Sequence, residues 1–291
     1  MESFSANIKQ ELSEINNLKN KELVKAELLG YLFTNLSNKF VTESEYNINR
    51  FAKLLNNIGI TEYSIGIQGK KYGISIKNKS LLKEMLIKYQ KENDIEKNIE
   101  EIDEIEAKAI VRGSFLGSGS VTNPSNVYHL EIVFIEEKFA NFEKKLLEKY
   151  EIDMKTIKRE KYTVLYIKGG EEISRFLAFI GANKSVLEFE DARVMKDVRN
   201  KVNRLVNCET ANMNKTIKTS VQQIEDIKFI KEKHKFDKLS PKEQELAEIR
   251  ILNPDATLAE LGKLLNPEIS KSGVNHRLVQ IQNLAKEIRE K

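Results

Sequence analysis

The strongest constraint in this 291-residue chain is that one pattern of residues occurs twice. Residues 27–90 and 109–180 each open on a helical stretch with small side chains at i, i+4 spacing. These are Ala26 and Gly30 in the first copy, then Ala109, Gly113 and Gly117 in the second. Each copy continues through alternating, strand-like residues into an amphipathic helix. The helices are Arg50–Ile58, with Phe51, Leu54, Leu55 and Ile58 on one face, and Phe139–Tyr150, with Phe142, Leu146, Leu147 and Tyr150. A hairpin follows in each: Tyr63–Gln68 and Tyr72–Lys77 turning through Gly69-Lys70-Lys71, then Met154–Lys158 and Tyr162–Lys168 turning through Arg159-Glu160-Lys161. A last helix closes each half, Leu81–Tyr89 and Glu172–Ile180. Gly30 and Gly113 are 83 residues apart, Leu55 and Leu147 are 92 apart, and Tyr72 and Tyr162 are 90 apart. An insertion in the second copy's first hairpin accounts for the difference. A twice-repeated αββαββα unit predicts an α+β domain with pseudo-twofold symmetry over residues 1–185, its repeats at 22–90 and 107–181. The acidic run 94–106, seven carboxylates against Lys97 alone, reads as the solvated connection between the halves.

Length and composition fit that plan. The chain suits about two domains, and 40% hydrophobic with 32% charged residues is globular rather than disordered. The single cysteine, Cys208, excludes a disulfide framework or Cys-based zinc site within one chain and predicts a cytoplasmic setting. Met1–Ser5 lacks the basic and apolar regions of a secretory signal. No apolar run approaches the roughly 18 residues of a membrane span. No two of His129, His234 and His276 stand at metal-ligand spacing. The residues predict no metal, no cofactor and no small-molecule ligand.

A net charge of +4 excludes a histone-like chain, but the charge is unevenly placed. Residues 193–291 hold 20 basic and 14 acidic side chains, a net of +6, which leaves −2 on the first 192. The densest basic stretch, 193–218, carries Arg193, Lys196, Arg199, Lys201, Arg204, Lys215 and Lys218 against Asp197 and Glu209. Scarce carboxylates and interleaved neutral residues favour nucleic-acid contact there over a merely solvated face. Val194, Val198, Val202 and Leu205, then Ile217, Val221, Ile224 and Ile227, are helix-spaced. They predict two basic linking helices within 186–238, separated near Asn207-Cys208-Glu209-Thr210.

Residues 239–291 predict a helix-turn-helix with a supporting helix in front. Ser240-Pro241-Lys242-Glu243 combines an N-cap, a first-turn proline and a capping-box glutamate, and Pro254 ends that helix after about Leu252. Thr257 and Glu260 form a second capping box, before Leu258, Leu261 and Leu264 or Leu265. A break at Asn266-Pro267-Glu268-Ile269 leads to a third helix from Ser270, with Val274, Leu278 and Ile281 inward. Its other face offers Ser270, Lys271, Ser272, Asn275, His276, Arg277 and Gln280, with no carboxylate before Glu287. Such donors bind phosphates near a helix N-terminus and read base edges further along: Arg suits guanine, and Asn or Gln suits adenine. A polar-surfaced three-helix bundle is the plainer alternative.

Leu28-Leu29-Gly30-Tyr31-Leu32-Phe33-Thr34-Asn35 and Val111-Arg112-Gly113-Ser114-Phe115-Leu116-Gly117-Ser118-Gly119-Ser120-Val121 resemble the two LAGLIDADG helices of homing endonucleases. With Asn203–Asn212 and Ile269–Leu278, the whole chain resembles the WhiA family of bacterial transcription regulators, which join a degenerate homing-endonuclease fold to a C-terminal helix-turn-helix. The resemblance implies that Gly30, Gly113 and Gly117 let the two motif helices approach closely. It also implies control of genes for cell division, chromosome segregation or sporulation, through double-stranded DNA at the nucleoid.

A working LAGLIDADG nuclease holds its divalent cation with a carboxylate at the end of each motif helix. Here those positions carry Asn35 and Ser118, and the other acidic position of the motif carries Phe33 and Leu116. Glu27 lies eight residues before Asn35, roughly 12 Å along a helix. The expectation is a sequence-specific DNA-binding regulator that is not an enzyme. Its helix-turn-helix reads bases, while Arg193, Lys196, Arg199, Lys201, Arg204 and the old nuclease face contact phosphates. The rival readings are a residual metal-dependent endonuclease and a protein-docking platform with weak DNA affinity.

Overall fold

A computed structural model describes residues 3–35, 39–78, 80–87 and 99–291. The chain divides into two compact units, Met1–Asp197 and Val198–Lys291. The fold is α+β in the first and all-helical in the second.

The first unit begins with α1 (Phe4–Ser13) and the first motif helix α2 (Lys21–Thr34), whose first turn is capped by the Asn20 side chain. The first half then runs β1 (Lys39–Thr42), α3 (Glu45–Asn57), β2 (Tyr63–Gln68), β3 (Lys71–Ile76) and α4 (Ser80–Ile87). Its sheet is antiparallel in the order β1-β3-β2. The second half runs α5 (Glu104–Ser118), β4 (Ser120–Val121), β5 (Leu130–Phe134), α6 (Glu137–Glu148), β6 (Lys155–Arg159), β7 (Tyr162–Ile167) and α7 (Gly170–Ile180). Its sheet order is β4-β5-β7-β6. Both hairpins turn on two residues, since Gln68 pairs with Lys71 and Arg159 with Tyr162. Gly69 (φ 60°) and Glu160 (φ 45°) take the left-handed conformation that such tight turns require.

Only the second half follows the full αββαββα order. In the first, a single strand stands between α2 and α3 among the described residues. Residues 36–38 lie outside the description, and the stretch between Thr34 and Glu45 is too short for the β4–β5 excursion of the other half. Residues 88–98, which include the end of the helix expected over 81–89 and much of the acidic run, also lie outside the described residues.

The motif helices α2 and α5 form the centre of this unit, buried over residues 26–34 and 109–116. A Cβ on Gly30 would overlap the Ile110 carbonyl oxygen and the Ser114 amide nitrogen, and one on Gly113 would overlap the Glu27 carbonyl oxygen. Gly117 lies against the Thr34 hydroxyl. Glycine is what brings the two backbones into contact. Aromatic side chains close the flanks, with Phe33 stacked on Phe139 at 4.6 Å between centroids and Tyr31 packed on Phe51 at 4.9 Å.

The two expected linking helices are one helix, α8 (Asn183–Glu232). The polar stretch near 207–210 does not interrupt it. No proline or glycine occurs there, and the Thr216 and Thr219 hydroxyls donate one turn back to the Asn212 and Lys215 carbonyls. Its N-terminus is capped from a distance. The Glu11 carboxylate on α1 accepts from the Lys184 and Ser185 amides at 2.7 and 2.9 Å.

The second unit builds its core from Ile227 and Ile230 of α8, α9 (Pro241–Leu252), α10 (Leu258–Lys263) and α11 (Lys271–Arg289). Arg250 is buried in it without a carboxylate partner among the described residues. It donates to Gln223 Oε1 at 3.0 Å and to the Ala256 carbonyl at 2.6 Å, so it ties α9 and the following loop to α8. Burial lowers its pKa.

Candidate nucleic-acid interface

The helix-turn-helix is shaped by its caps. Ser240 with Glu243, and Thr257 with Glu260, form reciprocal capping boxes that start α9 and α10. The backbone and hydroxyl of Thr257 hold the Glu260 carboxyl below its usual value. The Ser270 hydroxyl accepts from the Gly273 amide and starts α11. Gly262 lets α10 approach the Ile269 carbonyl, where a Cβ would not fit. Val274, Leu278, Ile281 and Ala285 are buried on one side of α11, and Leu261 and Leu265 pack there, while Leu264 points to solvent.

The opposite side of α11 exposes Lys271, Ser272, Asn275, His276 and Gln280. At roughly 100° per residue these share one broad arc. Arg277 does not join them. It lies beside the buried stripe, half-buried, with its guanidinium leaning 3.4 Å from the Lys242 carbonyl of α9. Two residues not singled out in sequence take its place on the arc: Asn283, an amide, and Val279, a rare exposed apolar side chain. Counting residues around the helix could have found both. From Lys271 to Lys286 there is no carboxylate.

The basic residues of α8 divide into two sets. Arg193 pairs with Glu190 at 2.6 Å, and Lys196 lies over the Tyr128 ring at 4.1 Å and bonds the Asn126 carbonyl, so both are engaged in the first unit. Arg199, Lys201 and Arg204 are exposed and form no ion pair among the described residues.

The ends of the motif helices hold no carboxylate pair. The Ser118 hydroxyl donates to the Val133 carbonyl at 2.7 Å and accepts from the Val133 amide at 3.0 Å, so it locks α5 to β5. Asn35 ends α2 and leans toward the Lys39 carbonyl. Glu27 is fully buried between two arginines, at 2.8 Å from Arg50 Nε and 3.1 Å from Arg112 Nε. Burial alone would raise its pKa, but the Arg50 hydrogen bond, the two guanidinium charges and Asn17 hold it below the usual range. Its role is to join α2, α3 and α5. Among the described residues no three His, Cys, Asp or Glu side chains are placed to hold a metal, and no helix is long and apolar enough to cross a membrane.

Residues 107–199 match the family model for the WhiA LAGLIDADG-like domain, and residues 202–285 that for the WhiA C-terminal HTH domain. The "Probable cell division protein WhiA" of Clostridium botulinum (strain Hall) is 45% identical over 215 residues, covering 74% of this chain and 68% of that protein. The crystal structure of full-length WhiA from Thermotoga maritima is similar at TM-score 0.58 and 27% identity, covering 98% of this chain and 99% of that one. A crystal structure of the N-terminal LAGLIDADG domain of WhiA is similar at TM-score 0.51 and 26% identity, covering 62% of this chain and 94% of that one. Two domain matches in order, and a relative at this identity over two thirds of its own length, place the chain in the WhiA family.

Proposed function

We propose that this chain is a sequence-specific, double-stranded DNA-binding transcription regulator without nuclease activity, working in the cytoplasm at the nucleoid. The observation that carries it is the solvent face of α11, which presents donors from a capped N-terminus with no carboxylate over four turns. Asn275, His276 and Gln280 read base edges, with Val279 against a thymine methyl group. Ser270, Lys271, Ser272 and Arg277 sit nearer the phosphates. Arg199, Lys201 and Arg204 add sequence-independent backbone contacts, whereas Arg193 and Lys196 contribute less because the first unit already engages them.

The absence of nuclease chemistry is supported by Asn35 and Ser118 at the carboxylate positions and by the commitment of the Ser118 hydroxyl to β5. Relatives bear the name of cell division proteins. The proposal extends that to genes for cell division, chromosome segregation or sporulation. Plasmid DNA incubated with the full chain and Mg²⁺ or Mn²⁺ is expected to stay intact while gel shifts show binding. Cleavage that tracks the purified protein would overturn the non-enzymatic reading, and absence of any shift would overturn the DNA-binding one.

A further inference from the structure

The first unit holds a cavity of about 350 Å³ that DNA binding does not use. It lies between α2, β1, α3, β3, α4 and the start of α6. Tyr31, Phe40, Phe51, Leu82 and Phe139 form its floor, each at most 4% exposed. The Tyr31 hydroxyl donates to Asn47 Oδ1, so its ring is what remains for the cavity. Protein interiors pack densely, and apolar walls that face a space of this size forgo dispersion contacts. Water does not restore them, because a buried water needs two to four polar partners and this floor offers none. An apolar body does. The volume lies at the small end of the range of ligand pockets, roughly 300–1,000 Å³.

The rim adds a charge requirement. The charged side chains of the lining are Lys83 on α4, with Glu136 and Lys138 at the start of α6. Glu136 and Lys138 pair with each other at 2.8 Å and cancel. Lys138 also lies over the Phe139 ring at 4.9 Å, so this pair is fixed against the cavity wall. Asn35 reaches the rim as well and is uncharged. Lys83 is exposed and forms no ion pair among the described residues. The rim therefore has one cation in excess above an aromatic and aliphatic floor. A ligand that suits both has an apolar chain with a single negative charge at its end.

We propose that this cavity binds a medium-chain carboxylate, with the chain on the aromatic floor and the carboxylate at Lys83. The lining comes from six elements spread from Tyr31 to Phe139, so no local run of residues suggests a small-molecule ligand. The site is separate from α11 and does not depend on the DNA-binding proposal.

The test is isothermal titration calorimetry of the full chain with decanoate, and with decylamine as the cation of equal chain length. Wild type is expected to bind decanoate saturably at one site, and decylamine at least about tenfold more weakly. Lys83→Glu turns an attractive charge repulsive and is expected to weaken decanoate binding at least about tenfold. Leu86→Trp places bulk in the cavity from a half-buried position and is expected to abolish binding. Circular dichroism is expected to match wild type in both variants, and Lys83→Glu, at an exposed position, decides alone should Leu86→Trp unfold. No saturable decanoate binding, equal affinity for decylamine, or wild-type decanoate affinity in a folded variant would overturn the proposal.

Discussion

Ser118 and Val133 are joined by a reciprocal pair of hydrogen bonds, the hydroxyl donating at 2.7 Å and accepting at 3.0 Å. In a metal-dependent nuclease of this architecture the residue ending the motif helix faces a cation. Here it faces a strand. Ser118→Ala removes both bonds and strands two backbone groups, which costs about 1–3 kcal/mol. Ser118→Asp brings a carboxylate against the Val133 carbonyl and is expected to destabilise further rather than restore cleavage. Thermal denaturation of both variants checks this. A melting temperature equal to wild type would show the pair to be energetically idle.

Glu27 is the second keystone. Glu27→Gln leaves Arg50 and Arg112 buried without a counter-charge, and breaking such a cluster costs about 3–5 kcal/mol. The pH dependence has a definite sign. The folded pKa lies below the unfolded value of roughly 4.3, so the stabilisation is complete above that pH and is lost as pH falls through the folded value. Urea unfolding at pH 7 is expected to separate wild type from Glu27→Gln widely. The gap narrows in acid, and a gap that did not change with pH would contradict an ionised Glu27.

Glu143 behaves oppositely. It is completely buried beside the Ser114 hydroxyl, its Oε1 has no hydrogen-bond partner among the described residues, and burial raises its pKa well above the usual value, with only Ser114 opposing. Burial therefore favours the protonated form in the folded state, and the Ser114 hydroxyl lies within donating reach of both the Glu143 carboxyl and the Gly30 carbonyl, the latter at 3.3 Å. Stability from this group is complete below roughly pH 4.3 and is lost as pH rises toward the folded value. Glu143→Gln keeps the shape without the titration. It is expected to match wild type near pH 4 and exceed it at pH 8 in unfolding experiments, whereas a constant difference between the two would contradict a neutral Glu143.

What the sequence showed clearly were features whose causes are local. The apolar period of α3, α6 and α11, the place of the two hairpins, and the capping boxes at Ser240 and Thr257 are all written within a few residues of where they act, although each hairpin turns on two residues and not on the three that the sequence suggests. The features that were missed depend on distant partners. Glu27 is explained by arginines 23 and 85 residues away. Nothing local marks the role of α1, whose Glu11 caps a helix more than 170 residues later. The helix runs through the break expected near Asn207, where no proline or glycine enforces one. Arg277 has a side chain suited to guanine, and only its position around α11, beside the buried stripe, shows that it leans toward the Lys242 carbonyl of α9.

Phosphate contacts and base contacts differ in their salt signature. Arg199→Ala and Arg204→Ala are each expected to weaken binding about equally on all duplexes, and to lower the slope of log affinity against log salt by about 0.9 per lost contact. Filter-binding titrations on two unrelated duplexes at several salt concentrations measure this. An unchanged slope would remove α8 from the DNA interface.

The central claim, that α11 reads sequence, is tested most directly by selection from a randomised duplex pool with the wild-type chain, followed by affinities of the selected site and a scrambled one for wild type and Asn275→Ala at one salt concentration. Wild type is expected to enrich one motif. Asn275→Ala is expected to lose about 1–3 kcal/mol of preference for that motif while keeping its affinity for scrambled DNA. Failure of the wild type to enrich any motif, or an Asn275→Ala variant with undiminished preference, would contradict it.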